Sequence, residues 1–377
     1  MSHNRLALLF ATSGHSGVDR IVANLLPEFG RTVHEFDLLR IKGHGPYLAE
    51  LPSNVRDIRL PAAHRNTVLP GLVRYLRRER PAALLTASHR LNRAALQARW
   101  LARVPTRVAI RMGMTLTGQQ EVLGPRKGRR LIRSMRFWYP RADAVVCPSE
   151  GLGRELHELA RVPGKRLHVI PNPIVTDSFL ERAGEPLDDP WFTGEGPPVI
   201  LGAGSLEPRK DFATLLRAFA RLRQQRPARL VILGEGRERG RLEALAAELG
   251  ISEDVRLPGF EPNPYRWMSR ADAFALTSLR EGSGAVLVEA LACGTPATST
   301  DCPVGPAEIL QEGRVGPLAP VGDDTAVAAN LAELLHRPPS PESMGAAVEP
   351  FRAESSAAAY LRAMGVETPG PATGTPQ

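Results

Sequence analysis

A chain of 377 residues, 43% hydrophobic and 23% charged, can bury ordinary cores; it is not disordered as a whole, and its length favours two domains. No apolar run approaches the ~20 residues of a membrane-spanning helix, and three cysteines without a C-x-x-C pair (Cys147, Cys293, Cys302) argue against a disulfide framework or a zinc cluster. The net charge of +8 is uneven: residues 1–180 carry 29 Lys+Arg against 13 Asp+Glu and residues 181–377 carry 19 against 27, so the Arg-rich first half calls for an anionic partner such as nucleic acid, acidic lipid or a phosphorylated substrate.

The first apolar run, 6–11 (LALLFA), is too short for a signal-peptide core and reads as a buried strand, which makes a cytoplasmic chain the expectation. The small turn that follows, TSGHSGVDRIVAN at 12–24, leads into a helix at 18–29. It lacks G-x-G-x-x-G and is not a dinucleotide fingerprint. Strands at 82–87, 107–112, 144–148 and 167–171 alternate with helices at 72–80 and 90–103. His15 and His89 each follow a strand, where a lone histidine is more often structural than catalytic.

Between them, 125–140 (PRKGRRLIRSMRFWYP) interleaves Arg126, Lys127, Arg129, Arg130, Arg133 and Arg136 with Leu131, Ile132, Met135, Phe137, Trp138 and Tyr139. Two readings stand: an interfacial helix on anionic lipid, or a core helix with a charged outer face. No nucleic-acid-binding module is recognisable, so nucleic acid is not an expected partner.

Residues 171–198 break the alternation with Pro, Gly and acids, and the charge balance changes sign there. This is a linker signature. A second series then follows, with strands at 198–202, 229–234, 254–257, 273–277 and 297–300 and helices at 209–226, 239–249 and 284–293. Alternating strands and helices predict parallel sheets covered on both faces, hence two α/β domains with a cleft between them and ligands beyond the carboxyl ends of the strands. The expected division is an N-terminal domain at 1–171, a linker at 172–196, a C-terminal domain at 197–345, a helix at 346–366 and a disordered tail at 367–377.

Two stretches carry candidate chemistry. In LREGSGAVLVEALACG (279–294) a strand ends, Glu281-Gly282-Ser283-Gly284 turns, and a helix begins; free amides at a helix start form an anion cradle suited to phosphate. Glu281 precedes that helix and Glu289 lies two turns inside it. Both suit hydroxyl recognition, although an acid at a helix start is also an ordinary dipole partner. Glu289, in apolar AVLVEALA, needs a polar partner if buried. In PVILGAGSLEPRKDFATLLRAF (198–219) a strand and a Gly-Ala-Gly-Ser turn lead to Arg209-Lys210 before an amphipathic helix. Adjacent cations there oppose the helix dipole, and neutralising a diphosphate is one explanation; a solvated pair is the other. Gly234-Glu235-Gly236 reads as a plain strand–helix turn. No H-E-x-x-H, G-x-S-x-G or P-loop pattern appears.

Jointly these segments resemble the family 4, or "group 1", retaining glycosyltransferases of GT-B fold. The resemblance covers nearly the whole chain and is densest from 198 to 310: E-x7-E at Glu281 and Glu289, LGAGSLEPRKDFATLLRAFA, RLVILGEGRERGRLEALAAELGI, VRLPGFEPNPYRWMSRADAFALTS and ALACGTPATSTDCPVGPAEIL, with HVIPNPIV and SGVDRIVANL in the first half. It implies a GT-B fold of two Rossmann-like, doubly wound domains facing an interdomain cleft. It implies transfer of a hexosyl or N-acetylhexosaminyl group, with uridine the expected base, from a nucleotide diphosphate sugar to a sugar or lipid-linked acceptor. Such chemistry belongs to polysaccharide or glycolipid assembly.

By the same resemblance Arg209 and Lys210 contact the diphosphate, Glu281 faces the donor sugar, Gly282, Ser283 and Gly284 offer amides, Glu289 binds the ribose, and Ser16 and Gly17 close over the donor. Ser205 stands where many relatives carry an Arg, Ser16 and Asp19 stand where Gly and Glu are usual, and Arg111-Met112-Gly113-Met114-Thr115 stands where many carry a His; no catalytic His is assigned. No cofactor is implied, and without a D-x-D motif metal independence is expected. A peripheral contact with anionic membrane would suit the basic half. The alternatives are another GT-B sugar-nucleotide enzyme, such as an epimerase, and a non-catalytic member that binds a polyanion or membrane.

Overall fold

The computed structural model describes residues 5–10, 17–33, 35–42, 51–194 and 196–366. The tail expected at 367–377 lies outside them, as does Ser16. The chain divides into two compact units, Met1–Pro173 with Ala353–Gln377, and Ile174–Arg352.

The first unit holds seven parallel strands: β1 (Leu6–Leu9), β2 (Phe36–Ile41), β3 (Val55–Leu60), β4 (Ala83–Ala87), β5 (Arg107–Arg111), β6 (Ala144–Cys147) and β7 (Leu167–Val169), in the order β3-β2-β1-β4-β5-β6-β7. Strand order reverses beside β1, the doubly wound pattern. Both faces are apolar. In β1, Ala7 and Leu9 enter one core cluster while Leu6 and Leu8 enter the other. Of the strands, β2 and β3 carry no clean apolar run: they read FDLLRI and VRDIRL. Their charges are accommodated by pairing, since Asp37 is fully buried and accepts from Arg56 Nε and Nη2 at 2.7 and 2.8 Å and from the Tyr75 hydroxyl at 2.6 Å.

The helix Ala353–Ala363 belongs to this unit. It packs on the helix Gly17–Thr32, burying Ala357, Tyr360 and Leu361, with the Tyr360 ring edge-on to Phe29 at 6.5 Å. The single helix expected at 346–366 is split, because one helix ends at Val348 and Arg352 is extended (ψ 140) after a short 3-10 turn at Glu349–Phe351.

The second unit adds β8 (Val199–Ala203), β9 (Arg229–Leu233), β10 (Val255–Gly259), β11 (Ala273–Leu276), β12 (Ala297–Thr300) and β13 (Leu318–Ala319), parallel throughout and ordered β10-β9-β8-β11-β12-β13. The order reverses between β8 and β11, so the loops leaving those two strands emerge side by side at their carboxyl ends.

The stretch 172–196 differs from its linker reading. It contains a helix, Asp177–Gly184, capped by Thr176 Oγ1 accepting from the Phe179 amide at 3.1 Å, and it buries Phe179, Ala183 and Leu187 in the second unit's core. Pro and acid content marks irregular backbone but does not reveal an eight-residue helix with one apolar side. Where the chain passes between units, Val175 pairs in parallel with Arg352, and the Ile174 amide donates to the Phe351 carbonyl at 2.8 Å.

Candidate functional site

The site begins with the loop after β8. Expected to start at 209, the helix starts at Phe212, because Asp211 adopts a left-handed conformation (φ 45) after a 3-10 turn at Pro208–Lys210. The turn directs Lys210 inward, leaving its side chain 9% exposed. The loop is buttressed by the turn after β9. Gly204 N donates to Leu233 O at 2.9 Å, and Leu206 N to Glu235 O at 2.8 Å. Gly234 makes this possible: at φ 138, a Cβ there would stand 1.9 Å from the Gly204 carbonyl oxygen. The Gly234-Glu235-Gly236 turn thus supports the cation-bearing loop.

From β11 comes the second loop. The Leu279 amide donates to the Arg209 carbonyl at 2.9 Å, and Thr277 Oγ1 to the Asp211 carbonyl at 3.0 Å, so the two loops are tied by backbone acceptors. Lys210 Nζ then donates to Glu281 Oε1 at 2.5 Å, and that oxygen also accepts from Ser278 Oγ at 2.6 Å. Glu281 is therefore held by two donors as well as standing before a helix. Arg209 stays exposed without a carboxylate partner among the described residues; its Nη2 lies 3.5 Å from Ser205 Oγ. The guanidinium thus reaches Ser205.

Gly284 caps the helix Ala285–Ala292 at φ 65, and its first turn holds no acid. A Cβ at Gly284 would meet Ile309 Cδ1 at 3.0 Å. Gly282 is exposed and Ser283 half-buried, while Glu289 is 6% exposed, deep in the helix. Two thiols lie near these carboxylates. Burial and then Glu289 push Cys293 up to about 12; burial and then Glu281 push Cys302 up to about 11. Neither is a thiolate near neutrality. The structure brings together Ser205, Arg209, Lys210 and Glu281 through these contacts, with Gly282 to Gly284 following in chain. Exposed Phe260, just beyond β10, is a lone aromatic for which the sequence carried no signal.

In the first unit Gly17 opens its helix. The His89 side chain is largely buried, with Nδ1 3.2 Å from the Tyr139 hydroxyl; burial first, then Arg93 and Arg90, lowers it to about 4. Of the stretch 125–140, residues 125–138 lie in the helix Leu116–Trp138, broken at Gly124 (φ 75), and Tyr139 and Pro140 in the 3-10 turn that follows it. Its Ile132, Met135 and Tyr139 are core residues, which favours the core-helix reading. Arg126, Lys127, Arg129, Arg130 and Arg133 are exposed, and no carboxylate among the described residues pairs with them. Beside the end of that helix lies a groove of about 1130 Å³ lined by Trp100, Phe137, Trp138, Arg77, Arg103 and Arg141 among others, with no acid in its lining. Among the described residues no group of three or more His, Cys, Asp or Glu could hold a metal ion, and no helix is long and apolar enough to cross a membrane.

Family models match both halves: a "Glycosyl transferase 4-like domain" over 16–173 and "Glycosyl transferases group 1" over 186–349. A relative from Campylobacter jejuni, N-acetylgalactosamine-N,N'-diacetylbacillosaminyl-diphospho-undecaprenol 4-alpha-N-acetylgalactosaminyltransferase, is 34% identical over 197 residues, 52% of each chain. The chain spans about half the length of the curated relatives it matches. Among solved structures, the apo form of the lipopolysaccharide outer core galactosyltransferase WaaB superposes with TM-score 0.72 at 19% identity, covering 96% of this chain and 99% of that one. Anabaena Alr3699/HepE in complex with UDP gives 0.68 at 16%, covering 96% and 95%. At these identities the likeness establishes the fold.

Proposed function

The chain belongs to the group 1, or family 4, glycosyltransferases of GT-B fold, and we propose that it transfers a sugar from a nucleotide diphosphate sugar to an acceptor hydroxyl with retention. The observation that carries this reading is the meeting of Lys210 with Glu281 at the carboxyl ends of β8 and β11, with exposed Arg209 alongside. Transfer requires stabilising the diphosphate that leaves. Arg209 and Lys210 supply fixed positive charge where negative charge develops, and the helix start at Gly284 adds its dipole. These cations serve in place of a divalent ion, so the reaction needs no metal.

Glu281 recognises donor hydroxyls. Its carboxylate already accepts from Lys210 and Ser278, which suits a hydrogen-bonding anchor better than a covalent nucleophile, and retention follows from front-face displacement. Glu289 takes the ribose. A uridine donor carrying a hexose or N-acetylhexosamine is favoured by the UDP complex of one structural neighbour and by the name of the Campylobacter relative. That name also favours a lipid-linked acceptor in cell-surface glycan assembly. The exposed cations of the first unit, with Trp100 72% and Phe137 54% exposed beside them, suit peripheral contact with an anionic membrane.

The test is a panel of UDP-, GDP-, ADP- and TDP-sugars assayed for binding and slow release of the nucleoside diphosphate. One donor should bind and turn over, and Lys210→Ala should abolish both; a chain that binds none at millimolar concentration refutes the reading.

A further inference from the structure

Among the described residues five charged side chains are buried: Asp19, Asp37, Arg111, Lys210 and Glu289. Asp37 is met by Arg56 and Lys210 by Glu281, and neither Asp19 nor Glu289 is free. Arg111 differs. It is 3% exposed, at the carboxyl end of β5. Its Nε donates to the Tyr360 hydroxyl at 3.0 Å and its Nη2 to Asn172 Oδ1 at 2.6 Å. Both partners are neutral, and no carboxylate among the described residues pairs with it. Neutral acceptors satisfy the N–H groups but leave the charge uncompensated, which is expensive in a buried place.

Among the described residues the third nitrogen, Nη1, has no hydrogen-bond partner, yet it is not sealed: the described side-chain polar atoms that are buried without a partner are Asn263 Oδ1 and Arg266 Nε. Gly113 keeps the space beside it open, since a Cβ there would stand 2.6 Å from Nη1. Tyr360 and Asn172 thus fix the guanidinium by two nitrogens and leave the third available. It lies at the end of a parallel sheet where ligands of open α/β folds bind.

We propose that Arg111 Nη1 is an oxyanion-binding point of the first unit, taking a phosphate oxygen of the molecule that receives the sugar. A charge-assisted contact of this kind supplies the missing counter-charge. The assignment of that phosphate to the acceptor rests on the glycosyltransferase reading; the anion site itself does not.

The experiment is calorimetric titration of inorganic phosphate into the full chain, with sodium chloride at matched ionic strength as control. The parent carries Arg209→Ala, Lys210→Met and Glu281→Gln together, which removes the second unit's phosphate-binding cations without leaving a buried charge unpaired. Adding Arg111→Gln or Gly113→Ala should weaken phosphate binding at least about tenfold. Gly113→Ala retains the Arg111 charge and crowds the space beside Nη1, so it remains informative if Arg111→Gln unfolds. Unchanged phosphate binding in Gly113→Ala or in a folded Arg111→Gln, or no binding by the parent beyond the chloride control, overturns the proposal and leaves Arg111 a clamp between β5 and Tyr360. Donor turnover by the wild-type chain is scored separately, so failure of the glycosyltransferase reading is distinguishable from failure of the anion site.

Discussion

Lys210 Nζ and Glu281 Oε1 lie 2.5 Å apart, on side chains 9% and 8% exposed, although 71 residues separate them in the chain. Removing one partner strands a buried charge, at a cost of about 3–5 kcal/mol, whereas removing both leaves none. Lys210→Met and Glu281→Gln should therefore each lower stability by more than the double variant does. Denaturant melts of the four proteins check this; additive losses would show that the two charges do not depend on each other.

The same pair should separate two functions. Glu281→Gln frees the ammonium, so nucleoside diphosphate binding is expected to hold or tighten while sugar transfer falls by about a hundredfold or more. Arg209→Ala, at an exposed side chain, should weaken diphosphate binding about tenfold with little change in Tm. Calorimetry with the nucleoside diphosphate and initial rates with the matching donor distinguish the cases. Equal loss of diphosphate binding in Glu281→Gln and Arg209→Ala would contradict the assignment.

Gly234→Ala places a methyl 1.9 Å from the Gly204 carbonyl oxygen at a φ of 138. The loop carrying Lys210 must move or the chain must strain, so a loss of about 2 kcal/mol or more is expected, with a weaker hold on the donor. Thermal melts and donor affinity report both effects.

His89 has an ordinary value of 6.5 and is lowered to about 4 in the folded chain, chiefly by burial. The unfolded chain takes up this proton first as pH falls. Stability should therefore be full above about 6.5, drop by up to about 3 kcal/mol on the way to pH 4, and lose no more below it from this group. His89→Gln should flatten that part of the profile. An unchanged slope between pH 6.5 and 4 would assign the acid sensitivity elsewhere.

Vesicles of anionic phospholipid should retain the chain at low salt and release it as salt rises. Trp100→Ala with Phe137→Ala should weaken retention even at low salt, since those rings supply apolar contact. Charge reversal at Arg126, Arg130 and Arg133 should remove the salt-sensitive part. Indifference of sedimentation to all five changes would exclude this surface.

Much of this arrangement was legible in the residues. Runs such as LALL at β1 and VILGA at β8 are apolar on both sides, so each announced a strand covered on two faces. Glu281, Arg209 and Lys210 stood out because they occupy strand–loop–helix turns. By contrast, β2 and β3 escaped notice, because Asp37 and Arg56 look like solvated charges until strand pairing brings them together. Burial of Lys210 was equally hidden: it depends on a left-handed Asp211 and on Gly234 letting a neighbouring turn close in, both set by tertiary contact. The helix at 177–184 was masked by flanking prolines and acids.

The return of Ala353–Ala363 to the first unit has a consequence for synthesis on the ribosome. The second unit is one uninterrupted segment, Ile174–Arg352, and can close as soon as it emerges. The first unit, though made earlier, lacks the helix that covers Phe29 and supplies Tyr360 to Arg111 until the whole second unit and residues 353–363 have been translated. Released chains truncated just before residue 353 should expose that face to protease, and those extended past residue 366 should protect it. The half made first is the half completed last, and its apolar face is the one a chaperone would have reason to hold meanwhile.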